Sequence, residues 1–392
     1  MLEQPFELPC GAILKNRIAK AAMSDDLGDG RGCPTDAQAR LYRLWAQGGA
    51  ALSLIGETQI GPWAPETYGN LVLDPLQGAP EFRQLTAAAT EHGTHFWAQL
   101  GHAGVLAAPV DGKAIGPSDI DHPEIQARAM TGAEIAALPK AYARAGANAR
   151  TLGFTGVEIH AAHGFLLSQF LSPFFNRRTD EWGGSPGRRI RLLLEVIEAV
   201  RAEVGARFPV AVKINATDQL KGGLTEEDAL GILAVLQEAP VDLIDISGGA
   251  YFPGAAAASD GAGKGPYFLD FARAARARIS KPLMSAGGFK HREEAEKAVS
   301  TGALDLVGLA RALVVEPALP RAWISGDSLE PAFPRFDERP PGGVTAWYTE
   351  RLRELASLDA TGRDQPLSAA LEAVTRRKAA NGDLWKRHFV EA

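Results

Sequence analysis

The sequence predicts an α/β protein, a closed (β/α)8 barrel of the TIM type with a C-terminal helical extension. Eight short apolar runs alternate with eight helical patterns along the 392 residues, as expected of repeated strand–helix units. Most of the runs are apolar at every position, which is typical of parallel strands buried on both faces. An open doubly wound sheet is the alternative, but no GxGxxG motif follows the first run.

The predicted elements follow one another at short spacing. The eight predicted strands are Arg17–Met23, Ala51–Thr58, Thr94–Leu100, Gly156–His160, Val210–Asn215, Leu243–Ser247, Pro282–Ala286 and Leu306–Ala310. The clearest helical patterns between them are Asp36–Gln47, Arg188–Val204, a helix capped by Thr225, and His291–Ser300. Thr35 and Thr225 are N-cap residues, because their hydroxyls can accept from the first free backbone N–H groups of a helix.

Two segments lie outside the strand–helix repeat. A Pro- and Gly-rich excursion over Gly101–Ile125 predicts a rim or lid. We divide the chain into a (β/α)8 barrel domain at residues 1–326 and an extension at residues 327–392. The extension contains helical patterns at Thr345–Ala356 and Ser368–Ala379. It either covers the barrel or contacts a neighbouring subunit, and the pair Trp347 and Tyr348 is a candidate for such a contact.

The composition excludes several classes of function. Hydrophobic residues make up 46% and charged residues 22%, and the net charge is -6, so neither nucleic acid nor an anionic membrane is expected as a partner. Cys10 and Cys33 are too few for a four-cysteine metal or iron–sulfur site, and we expect reduced thiols in a cytoplasmic protein. We see no signal peptide and no run of about 18 apolar residues that would span a membrane.

Two histidines follow the fourth predicted strand in the segment GVEIHAAHGF. His160 and His163 lie where the strand ends, and active sites of such barrels lie at the C-terminal ends of the strands. An imidazole can donate a hydrogen bond to a substrate oxygen near neutral pH. The spacing differs from the helical HExxH of zinc proteases and no third ligand is evident, so no metal site is expected.

Two further features point to an anionic ligand. Lys213 lies inside the apolar strand VAVKIN, where a cation is costly unless it has an anionic partner. The last two strands end in Gly287-Gly288 and in Gly308-Leu309-Ala310-Arg311. Glycines allow backbone N–H groups to approach a phosphate, and an arginine can bind two of its oxygens, so these turns predict a phosphate site.

From about Leu14 to Pro320 the chain resembles the old yellow enzyme family of FMN-dependent oxidoreductases. The motifs that carry the resemblance are NRIAKAAM at residues 16–23, HAAHGF at residues 160–165 and NRRTDEWGG at residues 176–184. The resemblance implies FMN as cofactor and NAD(P)H as reductant, with hydride transfer from flavin N5 to electron-poor small molecules such as enones, nitro compounds or quinones. It also implies that His160 and His163 bind the carbonyl or nitro oxygen of the acceptor.

The resemblance assigns roles residue by residue. The residues that it places at the flavin are Ala21, Ala22, Met23, Ser24, Thr58, Gln99, Lys213, Gly287, Gly288, Gly308, Ala310 and Arg311. Among these, Ser24 would tune the flavin potential, Gln99 would bind the pyrimidine edge, and Lys213 would stabilise the anionic reduced flavin. The residues that it places at the substrate are His160, His163, Phe165 and Tyr251. The resemblance assigns no role to His102, for which we expect a structural role or a role in supporting neighbouring site residues.

Phe165 departs from the family pattern, because most members carry a tyrosine here that protonates the substrate α-carbon. Either water, Tyr251, Tyr68 or Asp26 supplies the proton, or the reaction needs none, as with nitro compounds or quinones. Lys20 and Ala22 replace the usual Met and Pro of the first motif.

Two other classes of function remain open from the sequence. One is a flavin-free barrel lyase or metal-dependent hydrolase that uses His160 and His163. The other is a non-catalytic sensor that binds flavin or another ligand. The resemblance also implies a homo-oligomer, whereas the choice between NADH and NADPH is left undecided.

Overall fold

The computed structural model describes residues 1–73, 77–112, 114–255, 265–357 and 365–391. Its strands are β1 (Phe6–Glu7), β2 (Ile13–Leu14), β3 (Ile18–Lys20), β4 (Leu52–Gln59), β5 (Leu71–Val72), β6 (His95–Gly101), β7 (Ala114–Gly116), β8 (Ile120–His122), β9 (Ile125–Ala129), β10 (Gly156–Ala161), β11 (Val210–Asn215), β12 (Leu243–Ser247), β13 (Leu283–Ala286) and β14 (Leu306–Leu309). Strands β3, β4, β6 and β10 to β14 pair in parallel, and β3 pairs with both β14 and β4. These pairings close the predicted eight-stranded barrel.

The helices surround the barrel and form the tail. They are α1 (Asp36–Gln47), α2 (Ala79–Ala89), α3 (Gly132–Thr151), α4 (Leu166–Leu171), α5 (Pro186–Arg189), α6 (Arg191–Val204), α7 (Glu226–Leu236), α8 (Leu269–Arg276), α9 (Arg292–Ser300), α10 (Arg311–Val315), α11 (Leu319–Ile324), α12 (Gly343–Ala356) and α13 (Leu367–Phe389). Within the described ranges, no helix has the length and apolarity that crossing a bilayer requires.

Several predicted elements match the structure, and local capping explains where the helices among them begin. Helix α1 and strands β11 and β12 have the predicted bounds. Thr35 and Thr225 each accept a hydrogen bond from the third backbone N–H of their helix and complete a capping box. This arrangement satisfies N–H groups that would otherwise lack a partner.

Three predicted elements differ most from the observed bounds, while the others differ by at most two residues at either end. Strand β3 is shorter than predicted, because beyond Lys20 the chain keeps only an isolated bond from Ala21 N–H to Leu309 O. The helix predicted over Arg188–Val204 begins earlier, since Ser185 caps α5, and it breaks at Ile190 before α6. The tail helix α13 runs ten residues past the predicted end at Ala379.

Side chains alternate between two environments along the barrel strands. Alternate residues, among them Leu52, Leu54, Trp97, Ala211 and Met284, form one buried cluster that fills the barrel. The residues between them join the larger cluster under the helices. Nearer the C-terminal ends the inward positions turn polar, with Gln99, Glu158, Lys213 and Asp245 all buried. The fold therefore places its buried charges directly beneath the expected site.

The excursion after β6 forms a small rim sheet of three strands, in which β9 pairs with both β7 and β8. The NRRTDEWGG segment holds this rim in place. Asn176 Nδ2 donates to Phe170 O and to Trp182 O, each at 2.8 Å. Arg178 donates to Pro117 O and Met130 O, which follow the parallel strands β7 and β9 at the same end of the rim sheet. This motif is therefore used for structure in this chain.

The tail packs on the barrel of its own chain. Trp385 in α13 is fully buried, and its indole N–H donates to Pro62 O at 3.1 Å. Arg377 forms ion pairs with Asp26 in the loop after β3 and with Glu350 in α12. Trp347 is 5% exposed and packs on Tyr348, so its ring is covered within the chain. The domain division at residues 326 and 327 stays a prediction.

Candidate active site

A cavity of about 640 Å³ opens at the C-terminal ends of the barrel strands. Its volume lies in the usual range of cofactor sites. The predicted site residues that line it are Ala21, Ala22, His163, Lys213, Gly287, Gly288, Gly308, Ala310 and Arg311. Nine predicted residues from five different strand ends therefore share one cavity, as the barrel topology requires.

Four residues predicted at the flavin do not line this cavity. Thr58 is fully buried and donates to Gln99 O at 2.7 Å, and Gln99 Nε2 donates to Glu158 Oε1 at 2.6 Å. Ser24 Oγ lies 3.3 Å from Glu66 Oε2. Met23 is partly buried and packs against the core. Their assignment to the cofactor stays a prediction.

Lys20, which departs from the family motif, lies outside the site. Its side chain points from the barrel wall toward α1, where its ammonium donates to Leu54 O at 2.6 Å and lies over the rings of Tyr42 and Trp45. Burial lowers the pKa of Lys20 to about 7, although the charge of Asp25 opposes that shift. The residue therefore joins β3, β4 and α1.

The four predicted substrate residues form one aromatic cluster. The ring of His160 contacts the rings of His163 and Phe165 edge-on, with centroids 5.0 Å apart in both cases. The ring of Tyr251 lies 5.7 Å from His163 and 5.8 Å from Phe165. Phe165 is 3% exposed and Tyr251 is 59% exposed, so Tyr251 forms the solvent side of the cluster.

A tight turn holds His163 in the left-handed region, at φ 61°. Residues other than glycine rarely adopt this conformation. The side-chain oxygen of Asn215 accepts from His163 N–H at 3.0 Å, and Tyr251 N–H donates to His163 O at 3.0 Å. Asn215 Nδ2 also donates to Gly249 O. These bonds join β11 and the loop after β12 to the turn, and they direct the imidazole toward Ser247 Oγ, 2.7 Å from Nε2.

Both histidines are neutral. Burial, followed by the charges of His163 and Lys213, holds the pKa of His160 well below its ordinary value. Burial and the charge of Lys213 likewise lower the pKa of His163. His160 Nδ1 accepts from Ala162 N–H at 3.2 Å, so the proton of the neutral ring lies on Nε2. His160 can therefore donate a hydrogen bond from Nε2 to an oxygen without adding charge.

Lys213 has acidic partners within the protein. Its ammonium contacts Asp245 Oδ2 directly and lies 3.8 Å from Glu158 Oε1. Burial alone would lower the pKa of Lys213, but the charges of Asp245 and Glu158 outweigh it and raise the pKa. The anionic partner that the sequence required is thus present even before a ligand is considered, while Lys213 still lines the cavity.

The turn after β13 fits a phosphate group. Gly288 has φ +85°, and a Cβ atom there would lie 1.9 Å from Gly265 O, so only glycine allows this approach. Gly287, Gly308 and Arg311 line the same cavity as Gly288. Exposed backbone beside a guanidinium is suited to a phosphate, and the cation Lys213 lies at the inner end. These residues fit a phosphorylated cofactor such as FMN.

The sequence prediction missed several residues of the site. Glu158 and Asp245 were visible as charges in apolar strands, the same pattern that singled out Lys213. Ser247 and Asn215 carried no such pattern, because their roles depend on His163. The further cations and tyrosines of the cavity that were missed are Lys290, Arg339, Tyr267 and Tyr348. Among the residues that the structure describes, no three His, Cys, Asp or Glu side chains are grouped so as to hold a metal ion.

Comparison with known proteins shows the family to which the chain belongs. The chain belongs to the NADH:flavin oxidoreductase / NADH oxidase family, whose sequence model matches residues 2–328. It is an old yellow enzyme-like oxidoreductase that uses FMN as cofactor and NAD(P)H as reductant. Residues 329–392, which include α12 and α13, lie outside the match.

Individual relatives share about a third of the sequence. The NADH-dependent flavin oxidoreductase iccE of Talaromyces variabilis is 33% identical over 92% of this chain and 99% of its own length. The NADH-dependent flavin oxidoreductase iliE of Neonectria sp. is 32% identical over 89% of this chain, which spans only 50% of that protein. The old yellow enzyme homologue of Zymomonas mobilis has the same fold, with a TM-score of 0.74 at 24% identity, covering 89% of this chain and 99% of that one.

Proposed function

We propose that the protein reduces electron-poor small molecules with reducing equivalents from NAD(P)H. The acceptors are activated alkenes such as enones, or nitro compounds and quinones. The observation that carries the proposal is the pair of neutral imidazoles, His160 and His163, beside a cavity that Lys213 lines. Hydrogen bonds from neutral donors stabilise negative charge as it develops on an acceptor oxygen. Bound FMN supplies the hydride for this chemistry.

The residues of the cavity divide into two groups by role. Gly287, Gly288, Gly308 and Arg311 hold the phosphate, because backbone N–H groups and a guanidinium are its natural partners. Lys213 lies at the inner end and offers a positive charge where negative charge collects on reduction. The family match and the shared cavity support this division.

His160 is the better defined of the two oxygen-binding residues. Since its Nδ1 accepts from Ala162 N–H, its Nε2–H is free to donate to the acceptor. His163 lies with its Nε2 against Ser247 Oγ, so Ser247 orients its ring. An oxygen bound by both rings would lie beside Phe165 and Tyr251.

Tyr251 is the residue that we assign as proton donor to the α-carbon of alkenes. Phe165 has no exchangeable proton. Of the other candidates, Tyr68 donates its hydroxyl to Pro109 O at 2.6 Å, and Asp26 is paired with Thr67 and Arg377 beneath the tail. The ring of Tyr251 lies 5.7 Å from His163 and 5.8 Å from Phe165, beside the position proposed for the acceptor oxygen.

Visible spectroscopy under nitrogen tests the cofactor and the reductant. The purified protein should show a flavin spectrum that bleaches when NADPH or NADH is added. Subsequent addition of an enone, a nitroarene or a quinone should restore the oxidised spectrum if that compound is an acceptor. A colourless protein that takes up no FMN would overturn the proposal.

Variants at Tyr251 and Phe165 test the proton donor. Tyr251→Phe should lower enone turnover by about 10²-fold, the usual contribution of a general acid, and should leave quinone turnover unchanged because that reaction needs no proton on carbon. Phe165→Tyr should raise enone turnover and restore it in the Tyr251→Phe background. Steady-state rates with both acceptors provide the measurement. Unchanged enone turnover in Tyr251→Phe would exclude Tyr251 as the donor.

A further inference from the structure

Three ionisable side chains lie together inside the barrel beneath the cavity. They are Glu158 on β10, Lys213 on β11 and Asp245 on β12, and their side chains are at most 3% exposed. The register places Lys213 beside Asp245 and Glu158 beside Gln99. Neighbouring inward residues such as Met284 and Leu306 are apolar, so the cluster must balance its own charge.

The charges of the cluster do not balance if both acids are ionised. Two carboxylates then face one ammonium, which leaves one uncompensated negative charge in a buried cluster. Glu158 Oε2 and Asp245 Oδ1 have no hydrogen-bond partner among the described residues. A buried, unpartnered carboxylate oxygen is costly, and two acids that share a site resist ionising together. One proton held by the pair removes the excess negative charge.

The contacts indicate which acid holds that proton. Asp245 directly contacts Lys213, so it is the ionised partner. Glu158 Oε1 accepts from Gln99 Nε2, which leaves Oε2 to carry the hydrogen. Burial, followed by the charge of Asp245, raises the pKa of Glu158 to about 8, although Lys213 opposes the shift. The other titratable groups nearby, His160 and His163, stay neutral.

We propose that Glu158 is a redox-linked proton site, which binds its proton more tightly when the cofactor beside Lys213 becomes an anion. The inference rests on the proposed placement of FMN beside Lys213. A hydride from NAD(P)H brings two electrons and one proton, NAD(P)⁺ leaves, and the cofactor gains one negative charge. A second proton comes from solvent through the cavity and forms an O–H bond at Glu158 Oε2. No covalent bond of the protein breaks, and reoxidation releases the proton.

This proton changes how the midpoint potential depends on pH. A two-electron couple that takes up one proton falls by about 30 mV per pH unit, and one that takes up two falls by about 59 mV. Below the pKa of Glu158 in the oxidised protein the acid already holds its proton, so the shallow slope applies. Above that pKa, and up to the higher pKa in the reduced protein, the steep slope applies.

The experiment measures the midpoint potential of the FMN-loaded protein from about pH 6 to about pH 10, by equilibration with redox dyes under nitrogen. We expect the slope of the wild type to double above about pH 8. Glu158→Gln should keep the shallow slope throughout, whereas the exposed-helix control Glu198→Gln should behave as the wild type. A single shallow slope in the wild type, or a steep slope kept in Glu158→Gln, would overturn the proposal.

Infrared difference spectra supply a second readout that does not depend on a variant. At about pH 9, reduction of the wild type should increase a carbonyl band of a protonated carboxylic acid, and no such band should change if the proposal is wrong.

Asp245→Asn serves as a second variant for the potential measurement, since Glu158 then becomes the ionised partner of Lys213 and the steep region of the slope should vanish. Neither measurement uses an acceptor or Tyr251. A negative result therefore counts against the proton site at Glu158 and not against the assignment of acceptors. A protein without bound FMN would be recognised because it lacks the visible flavin spectrum.

Discussion

At the scale of single residues, the site depends on buried side chains that compensate one another's charge. Lys213 is tolerable inside the barrel because Asp245 and Glu158 face it from neighbouring strands. Burial keeps the two histidines neutral by lowering their pKa, and the positive charge of Lys213 adds to that shift. Lys213 therefore interacts electrostatically with both the inner carboxylates and the oxygen-binding histidines. A substitution at any of these residues should change the pKa values of the others.

His102 shows how burial of a titratable ring affects stability. Its Nδ1 accepts from Gly104 N–H at 3.0 Å, and burial lowers its pKa to about 4. An unfolded histidine titrates near pH 6.5, so between pH 6.5 and 4 the unfolded chain binds more protons and the folded state loses up to about 1.4 kcal/mol per pH unit.

Replacing His102 should remove this dependence. Relative to the wild type, His102→Gln should lose less unfolding free energy between pH 7 and pH 5, as measured by urea denaturation. The exposed control His92→Asn should follow the wild type. A wild-type-like loss in His102→Gln would show that this ring does not cause the acid sensitivity.

At the scale of elements, the tail helix α13 is joined to the loops that follow the first two barrel strands. Trp385 bonds to Pro62 O, and Arg377 pairs with Asp26 and Glu350. Asp26 is 5% exposed and has φ 52°, so it depends on Arg377 for charge compensation. Burial raises the pKa of Asp26 against the opposing charge of Arg377. The tail therefore stabilises a loop next to the cofactor site.

Removing Arg377 should leave the buried carboxylate of Asp26 without its counterion. Arg377→Met should lower the free energy of unfolding by on the order of 3 kcal/mol, the usual cost of breaking a buried pair. The double variant Asp26→Asn/Arg377→Met should recover part of that loss, since the stranded charge is then absent. Denaturant titration of the four proteins gives the coupling energy. Additive losses would mean that the two residues do not interact.

At the scale of the whole molecule, one cavity joins the barrel to its tail. Its lining includes the strand-end residues Lys213 and Gly308 as well as Phe336, Arg339 and Tyr348 from the segment after the barrel. A ligand that binds there contacts the folded molecule only, so it stabilises the fold as its concentration rises above Kd. Binding and global stability are therefore linked.

Thermal unfolding with added FMN tests this linkage. At about 100 times Kd, FMN should stabilise the apoprotein by about 2.7 kcal/mol and raise Tm. Arg311→Met should reduce that shift for FMN but not for riboflavin, which lacks the phosphate. The control Arg335→Met, at an exposed arginine of the tail, should behave as the wild type. Equal losses with both flavins would argue against a phosphate contact at Arg311.

The sequence by itself determined the order of strands and helices, the barrel class and most strand ends. Periodicity and capping act over a few residues, so Thr35, Thr225 and the strand VAVKIN could be interpreted without the fold. The motifs were also sufficient to predict the family, which the comparisons confirm. What local patterns could not give were helix ends such as that of α13, where packing against the barrel outweighs propensity.

Only the tertiary structure decided which side chains meet. Asp245 reaches Lys213 across 32 residues of sequence, Asn215 holds the turn of His163 across 52, and Trp385 bonds to Pro62 across 323. Each of these contacts depends on strand register and helix packing, which no window of neighbouring residues encodes. For that physical reason the sequence identified Lys213 and the histidines only as individual candidates. The charge balance around them depends on which strands are neighbours in the closed barrel, and the tertiary structure alone shows that.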